Sequence, residues 1–213
     1  MEPTEHNRRA WDEIHRRQAE AMGAPVGLPD AVRERLPDVD AKHVLHLPCG
    51  TGEATAELAD LGALVTGVDV SSESIAVAQE RAPTAAFVVS DVQELPLQLT
   101  RARFDLVLSG PVVQDLRDLG AWAGNVAAAL RPGGALLAYD EHPVAACVDA
   151  TSRWREDYFA DGGPWRLGQI LTAVAGAGLA LRSLDEFSWI YKTSWRRKDP
   201  RVPGQFVLLA EKS

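Results

Sequence analysis

Four residues stand where they could hold a small polar ligand. Gly50 and Gly52, in the stretch VLHLPCGTGEAT (44–55), follow an apolar run and precede a helical pattern. In that context backbone N–H groups can approach a ligand closely. Asp69 lies nineteen residues after Gly50 and closes the next apolar run, ALVTGVD (63–69). A carboxylate there can accept hydrogen bonds from both hydroxyls of a ribose. Asp91 closes a third run, AAFVVSD (85–91), and its carboxylate could take the amino group of an adenine. A Gly-x-Gly pair alone is weak evidence. Together with the two aspartates and the later LRPGG turn (130–134) it becomes specific.

The surrounding pattern supplies the elements that must carry these residues. KHVLHL (42–47), ALVTGVD, AAFVVSD, FDLVLS (104–109) and GALLAYDE (134–141) read as strands with little polar alternation, as in a parallel sheet buried on both faces. Helical patterns separate them. GEATAELADLG (52–62) ends on a glycine, SSESIAVAQERA (71–82) opens on capping serines, and 116–134 closes on Pro-Gly-Gly. This alternation predicts a doubly wound α/β sheet in one domain spanning 1–213. Within it we expect an N-terminal helical cap (1–40) and a ligand-binding core (41–141). An insertion after the fifth strand (142–166) and a C-terminal helix with a β-hairpin (167–213) complete the chain.

The composition narrows the class. The chain has 213 residues, is 46% hydrophobic and carries 22 basic against 30 acidic side chains, a net charge of −8. Such an acidic surface repels phosphate backbones, so nucleic acid is not the expected partner. No apolar run approaches the ~20 residues that span a bilayer, and the polar N-terminus does not read as a secretory signal. The two cysteines, Cys49 and Cys147, read as thiols. The expectation is a cytoplasmic protein.

With these residues in view, the sequence resembles the class I S-adenosylmethionine-dependent methyltransferases. The segments LHLPCGTG, VTGVDVSSESIAVA, FVVSDVQELP, FDLVLS and ALRPGGALLAYDEHPV carry the resemblance, mainly over residues 40–142. It implies a Rossmann-like seven-stranded sheet whose last strand is antiparallel. It also implies S-adenosyl-L-methionine as cofactor and S-adenosyl-L-homocysteine as product. By the same resemblance, Pro48, Cys49, Gly50, Thr51 and Gly52 line the methionine part of the cofactor, Asp69 holds the ribose and Val70 packs on the adenine. Asp91 and the backbone of Val92 bind the adenine edge, and Ser109, Gly110 and Pro111 face the methyl group and acceptor. The sequence departs from the family pattern at two places. His46 stands where an acid usually helps orient the methionine amino group, and a neutral imidazole supplies no fixed charge. Pro48 replaces the first glycine, which fixes φ and removes an N–H.

Methyl transfer from a sulfonium is an in-line displacement, so a protein mainly supplies alignment and a dry site. A base is needed only if the acceptor arrives protonated. His142 is the candidate; the alternative is that it orients the loop before Pro143. Asp140 shares its face of an extended strand, while Glu141 points the other way. No second ligand cluster accompanies this D-E-H string, so no metal is expected. Trp154, Tyr158, Phe159 and Trp165 in the insertion could form a lid over the acceptor or pack onto the sheet, and Tyr158 is the chosen substrate contact. Trp11, in the leading helix, could wall the site or dock on the core. Arg196, Arg197, Lys198 and Arg201 read as a solvated loop tip. The expected partner is a small-molecule methyl acceptor, with O or N methylated, and the chain a monomer or homodimer without a membrane role. Two other functions stay open. A nicotinamide-dependent oxidoreductase would want a third glycine where Thr55 stands, and a non-catalytic methyltransferase-like partner protein would account for His46 and Pro48.

Overall fold

The computed structural model describes residues 27–149, 153–188 and 201–213. Trp11, the first part of the N-terminal cap and the basic residues Arg196, Arg197 and Lys198 lie outside them. A short helix α1 (Asp30–Arg33) precedes β1 (His43–Leu47), α2 (Glu53–Asp60), β2 (Leu64–Asp69), α3 (Ser72–Arg81) and β3 (Ala86–Val89). Then follow β4 (Phe104–Ser109), α4 (Leu119–Ala129), β5 (Leu130–Glu141), α5 (Pro143–Ala146), α6 (Leu167–Gly176), β6 (Leu179–Phe187) and β7 (Gln205–Lys212).

The seven strands are ordered β3-β2-β1-β4-β5-β7-β6. β1 through β5 pair in parallel, while β7 runs antiparallel to both β5 and β6. This is the α/β Rossmann-like architecture expected from the sequence, with the last strand antiparallel. The order reverses between β1 and β4, and the carboxyl ends of strands at such a reversal leave a crevice for ligands.

Alternate residues of each strand face opposite sides of the sheet, and this splits the core in two. Leu45, Leu47, Val107, Leu136, Phe206 and Leu208 pack with Trp122 and Val126 of α4 and with Ile170 and Val174 of α6. Val44, Leu106, Leu108, Leu137 and Val207 pack on the other face with Val32 of α1 and Leu58 of α2. Both faces are covered, which is why the central strands read as nearly unbroken apolar runs.

The helix termini follow from local chemistry. Ser71 caps α3 by accepting from the Ser74 N–H at 3.1 Å, and Asp118 caps α4 by accepting from the Ala121 N–H at 3.0 Å. One boundary differs from the sequence expectation. LRPGG does not close a helix: α4 ends at Ala129, Leu130 already pairs with Phe104, and residues 131–134 bulge out before Ala135 pairs with Leu106. The insertion holds little regular structure beyond α5 and a bridge between Val148 and Trp154. Among the described residues no helix is long and apolar enough to cross a membrane.

Candidate functional site

The turn after β1 is tied to β2 from both ends. The Cys49 N–H donates to the Val68 carbonyl at 2.8 Å, and the Gly50 N–H donates to Asp69 Oδ2 at 2.9 Å. Gly50 has φ +52°, and a side chain there would point into open space, with no atom within 4 Å. Gly52, at φ +87°, starts α2 and lies so close to α3 that a Cβ would sit 2.9 Å from Ala78. The two glycines therefore do different work. Gly50 leaves backbone open to an approaching ligand, and Gly52 lets two helices meet. Pro48 follows a cis peptide bond. Cys49 is buried, and burial pushes its thiol up, well away from ionisation. The Thr51 hydroxyl donates to the Glu53 carboxylate at 2.8 Å; Arg81, at the end of α3, binds both the Thr51 carbonyl and Glu53.

Asp69 is 3% exposed, and each of its oxygens accepts a backbone N–H, Oδ2 from Gly50 and Oδ1 from Ser71 at 2.9 Å. It clasps the first turn to the start of α3, a bracing task the strand-end position alone does not reveal. Val70 is half-buried beside it. Asp91 accepts at Oδ1 from the Gln93 N–H at 2.9 Å and from Gln93 Nε2 at 3.3 Å. Its Oδ2 lies 3.4 Å from Arg117 Nη2. Gln93 Oε1 in turn accepts the N–H groups of Arg117 and Asp118 at 3.0 and 2.9 Å. Gln93 and Arg117 thus couple the Asp91 loop to the entry of α4. Neither residue stands out in the sequence, because their contacts form across elements. The Val92 side chain is buried in the core.

His46 is turned into the interior. It is 3% exposed, its Nδ1 lies 2.8 Å from Thr55 Oγ1, and burial lowers its pKa to about 4. The ring is neutral at pH 7 and braces β1 against α2 through Nδ1. It supplies no charge in place of the family's acid.

At the neighbouring strand end, Ser109 closes β4 fully buried, and its hydroxyl has no hydrogen-bond partner among the described residues. A buried hydroxyl without a partner is costly. The Gly110 N–H donates to the Leu47 carbonyl at 2.7 Å, which joins the β4 exit to the β1 exit; Pro111 beyond it is exposed. Asp140, 4% exposed at the end of β5, accepts at Oδ2 from the N–H groups of Val112, Val113 and Gln114 at 2.9, 2.5 and 3.4 Å. Its Oδ1 accepts from the Glu141 N–H at 2.6 Å.

His142 caps α5: its Nδ1 accepts from the Val144 N–H at 3.1 Å. That bond places the neutral ring's hydrogen on Nε2, which lies 2.8 Å from Glu186 Oε1. Burial lowers the His142 pKa, partly offset by Glu186. With Nδ1 accepting from the backbone and Nε2 facing a carboxylate, the ring has the geometry of an orienting group. It does not present a free base.

Tyr158 is half-buried in the insertion. It lines a hollow of about 630 Å³ with Asp118, Leu119, Trp165, Arg166 and Gln169, between the entries of α4 and α6. Trp154 and Phe159 are largely exposed, and Trp165 is held by its Nε1 donating to the Leu116 carbonyl at 2.7 Å. The Tyr158 and Phe159 rings meet edge to face with centroids 5.1 Å apart, and Tyr158 shares the hollow with Trp165. Neither cysteine forms a disulfide among the described residues; Cys147 is buried with its Sγ 3.5 Å from the Pro143 carbonyl.

Comparison with known proteins agrees with this geometry. The family described as "Methyltransferase domain" matches residues 45–138, from β1 into β5. The malonyl-[acyl-carrier protein] O-methyltransferase of Pseudescherichia vulneris is 30% identical over 92% of this chain and 80% of its own length. A ubiquinone biosynthesis O-methyltransferase of Bradyrhizobium sp. is 36% identical over 44% of this chain, a stretch covering 38% of that relative. Among solved structures, an S-adenosylmethionine-dependent methyltransferase of Mesorhizobium loti superposes with a TM-score of 0.71 at 24% identity, covering 85% of this chain and 96% of that one. A glycine turn braced by Asp69, an open approach at Gly50 and a relative matched over most of both chains lead to one conclusion: this chain belongs to the class I S-adenosylmethionine-dependent methyltransferases.

Proposed function

We propose that the protein transfers the methyl group of S-adenosylmethionine to an oxygen of a small-molecule acceptor. The observation that carries the reading is the set of residues gathered at the carboxyl ends of β1, β2 and β4, where the strand order reverses. There Gly50 is open to a ligand, Asp69 anchors the turn, and Ser109 keeps a buried hydroxyl without a partner. These residues fit the cofactor's polar groups. Gly50 and Thr51 would lie along its methionine, Asp69 at the ribose and Asp91 at the adenine, with Ser109 and Gly110 nearest the methyl group. The bound cofactor supplies an activated methyl group, and the chain's part is to hold, align and exclude water. His142 acts as an orienting group for the β5 exit. The choice of oxygen follows the malonyl-[acyl-carrier protein] and ubiquinone O-methyltransferases that the chain resembles. The matched stretch is less than half of the ubiquinone relative, so the acceptor itself is not transferred from it.

Two measurements test the reading. Calorimetry with S-adenosylhomocysteine should show binding, and S-adenosylmethionine labelled in its methyl group should pass label to a component of a bacterial extract or to a malonyl thioester. Recovery of the labelled product as a methyl ester or ether supports oxygen. Label found on nitrogen, or no binding by correctly folded protein, sinks the proposal.

A further inference from the structure

We propose that Asp140 is the positioning residue of the acceptor side, its buried carboxylate holding the backbone of residues 112–114 and through it the Ser109–Pro111 turn. The proposal rests on the reading that this turn faces the transferred methyl group. Its own basis is a donor count. Four backbone N–H groups converge on one carboxylate, three on Oδ2 from Val112, Val113 and Gln114 and one on Oδ1 from Glu141. In its ionised form, above about pH 7, the carboxylate offers only acceptors, so both oxygens can serve donors together. No apolar side chain could do this, and removing the carboxylate would leave the buried Val113 N–H and three part-buried N–H groups unserved.

The contacts extend outward from the anchored segment. Gln114 is bonded twice to the insertion, its Nε2 donating to the Trp165 carbonyl at 3.1 Å and its Oε1 accepting the Trp165 N–H at 2.9 Å. Trp165 Nε1 then donates to the Leu116 carbonyl at 2.7 Å. At the other end Gly110 is bonded to Leu47 of β1, two residues before the first N–H that Asp140 holds. One side chain on β5 thereby sets the segment between β4 and α4 relative to both the crevice and the insertion. Asp140 touches no substrate in this role and acts through the backbone it fixes.

Asp140→Asn is the informative change, compared with the wild type above about pH 7, where Asp140 is ionised. It keeps size and shape, but replaces one acceptor oxygen with an NH₂ facing N–H donors. We expect hydrogen exchange at Val112, Val113 and Gln114 to rise by about tenfold or more, the loss of roughly one buried hydrogen bond. Exchange in β4 and α4 should stay as in the wild type, and the affinity for S-adenosylhomocysteine should be retained. The initial rate of label transfer to a bacterial extract at saturating S-adenosylmethionine should fall by about tenfold or more. Unchanged exchange at these three amides overturns the proposal, as does local loosening with a wild-type transfer rate. A uniform rise in exchange with loss of cofactor-product binding also overturns it, because that is a general stability effect. If the variant does not fold, exchange in the wild type decides: unprotected amides at Val112 and Val113 refute the anchor. Failure of wild-type protein to bind S-adenosylhomocysteine refutes the function reading instead and leaves the exchange result standing.

Discussion

At Asp69 two tasks meet in one carboxylate. Its oxygens already serve Gly50 and Ser71, and any ribose hydroxyl must share the remaining lone pairs. Asp69→Asn turns one of these oxygens into a donor, so either the turn loosens or the ligand loses an acceptor. We expect affinity for S-adenosylhomocysteine to fall by about 1.5–3 kcal/mol, the range for charge-assisted hydrogen bonds. Titration calorimetry reads this directly, and unchanged affinity would place the ribose elsewhere. Residues of this kind are legible in the sequence because their positions follow from strand ends alone. Gly50, Asp69 and Asp91 each stand at the carboxyl end of a buried run, and a parallel sheet brings those ends together. His46 was not legible in the same way. Its place in the motif suggests a ligand contact, but Thr55 takes its Nδ1, and that pairing depends on how α2 packs over β1. The role of His142 is likewise hidden in the sequence, since Val144 and Glu186 decide which nitrogen carries the hydrogen.

At the scale of elements, the close approach of α2 to α3 hangs on Gly52. Its φ of +87° is one that L side chains rarely adopt, and an added Cβ would sit 2.9 Å from both Cα and Cβ of Ala78. Gly52→Ala combines backbone strain with overpacking against a helix backbone that cannot yield as a flexible side chain would. The expected cost is about 2–4 kcal/mol, read as a lower urea midpoint with an unchanged slope. A midpoint within error of the wild type would mean that α3 moves away freely. The order of strands and helices could be read from sequence because each buried strand is a short apolar block between capped helices. The bulge at 131–134 could not, because Pro-Gly-Gly is equally at home in a turn, and only the pairing of Leu130 with Phe104 distinguishes the two. The insertion was legible as an interruption, but its rings were not. Tyr158 faces the hollow between α4 and α6, and nothing in its spacing signals that neighbour.

For the molecule as a whole, two buried groups on opposite faces of the sheet pull stability in opposite directions with pH. His46, ordinarily near 6.5, is lowered to about 4 by burial. Between these values the unfolded chain binds a proton that the folded chain does not, so stability rises with pH across about 4 to 6.5. Asp140, ordinarily near 3.8, is raised to about 7, where burial and the nearby Asp115 outweigh the N–H groups it accepts. Here the folded chain holds the extra proton, so stability falls as pH rises from about 4 to 7. Integrated over their windows, the effects are about 3 kcal/mol for His46 and about 4 kcal/mol for Asp140, opposite in sign. They largely offset one another in the wild type, and each variant unmasks the other group. Relative to wild type, His46→Gln should gain about 3 kcal/mol on going from pH 7 to pH 4, because it removes the acid-sensitive histidine. Asp140→Asn should move the other way, its stability relative to wild type improving by about 4 kcal/mol between pH 4 and pH 7, whatever the constant cost of the lost acceptor. Urea unfolding of the three proteins across this range provides the check, since groups common to all of them cancel in the differences. Curves that stay parallel would mean that neither burial controls protonation as the structure indicates. Curves that diverge in the stated directions would show that a single sheet carries compensating acid and base penalties, one beside the glycine turn and one beneath the turn that follows β4.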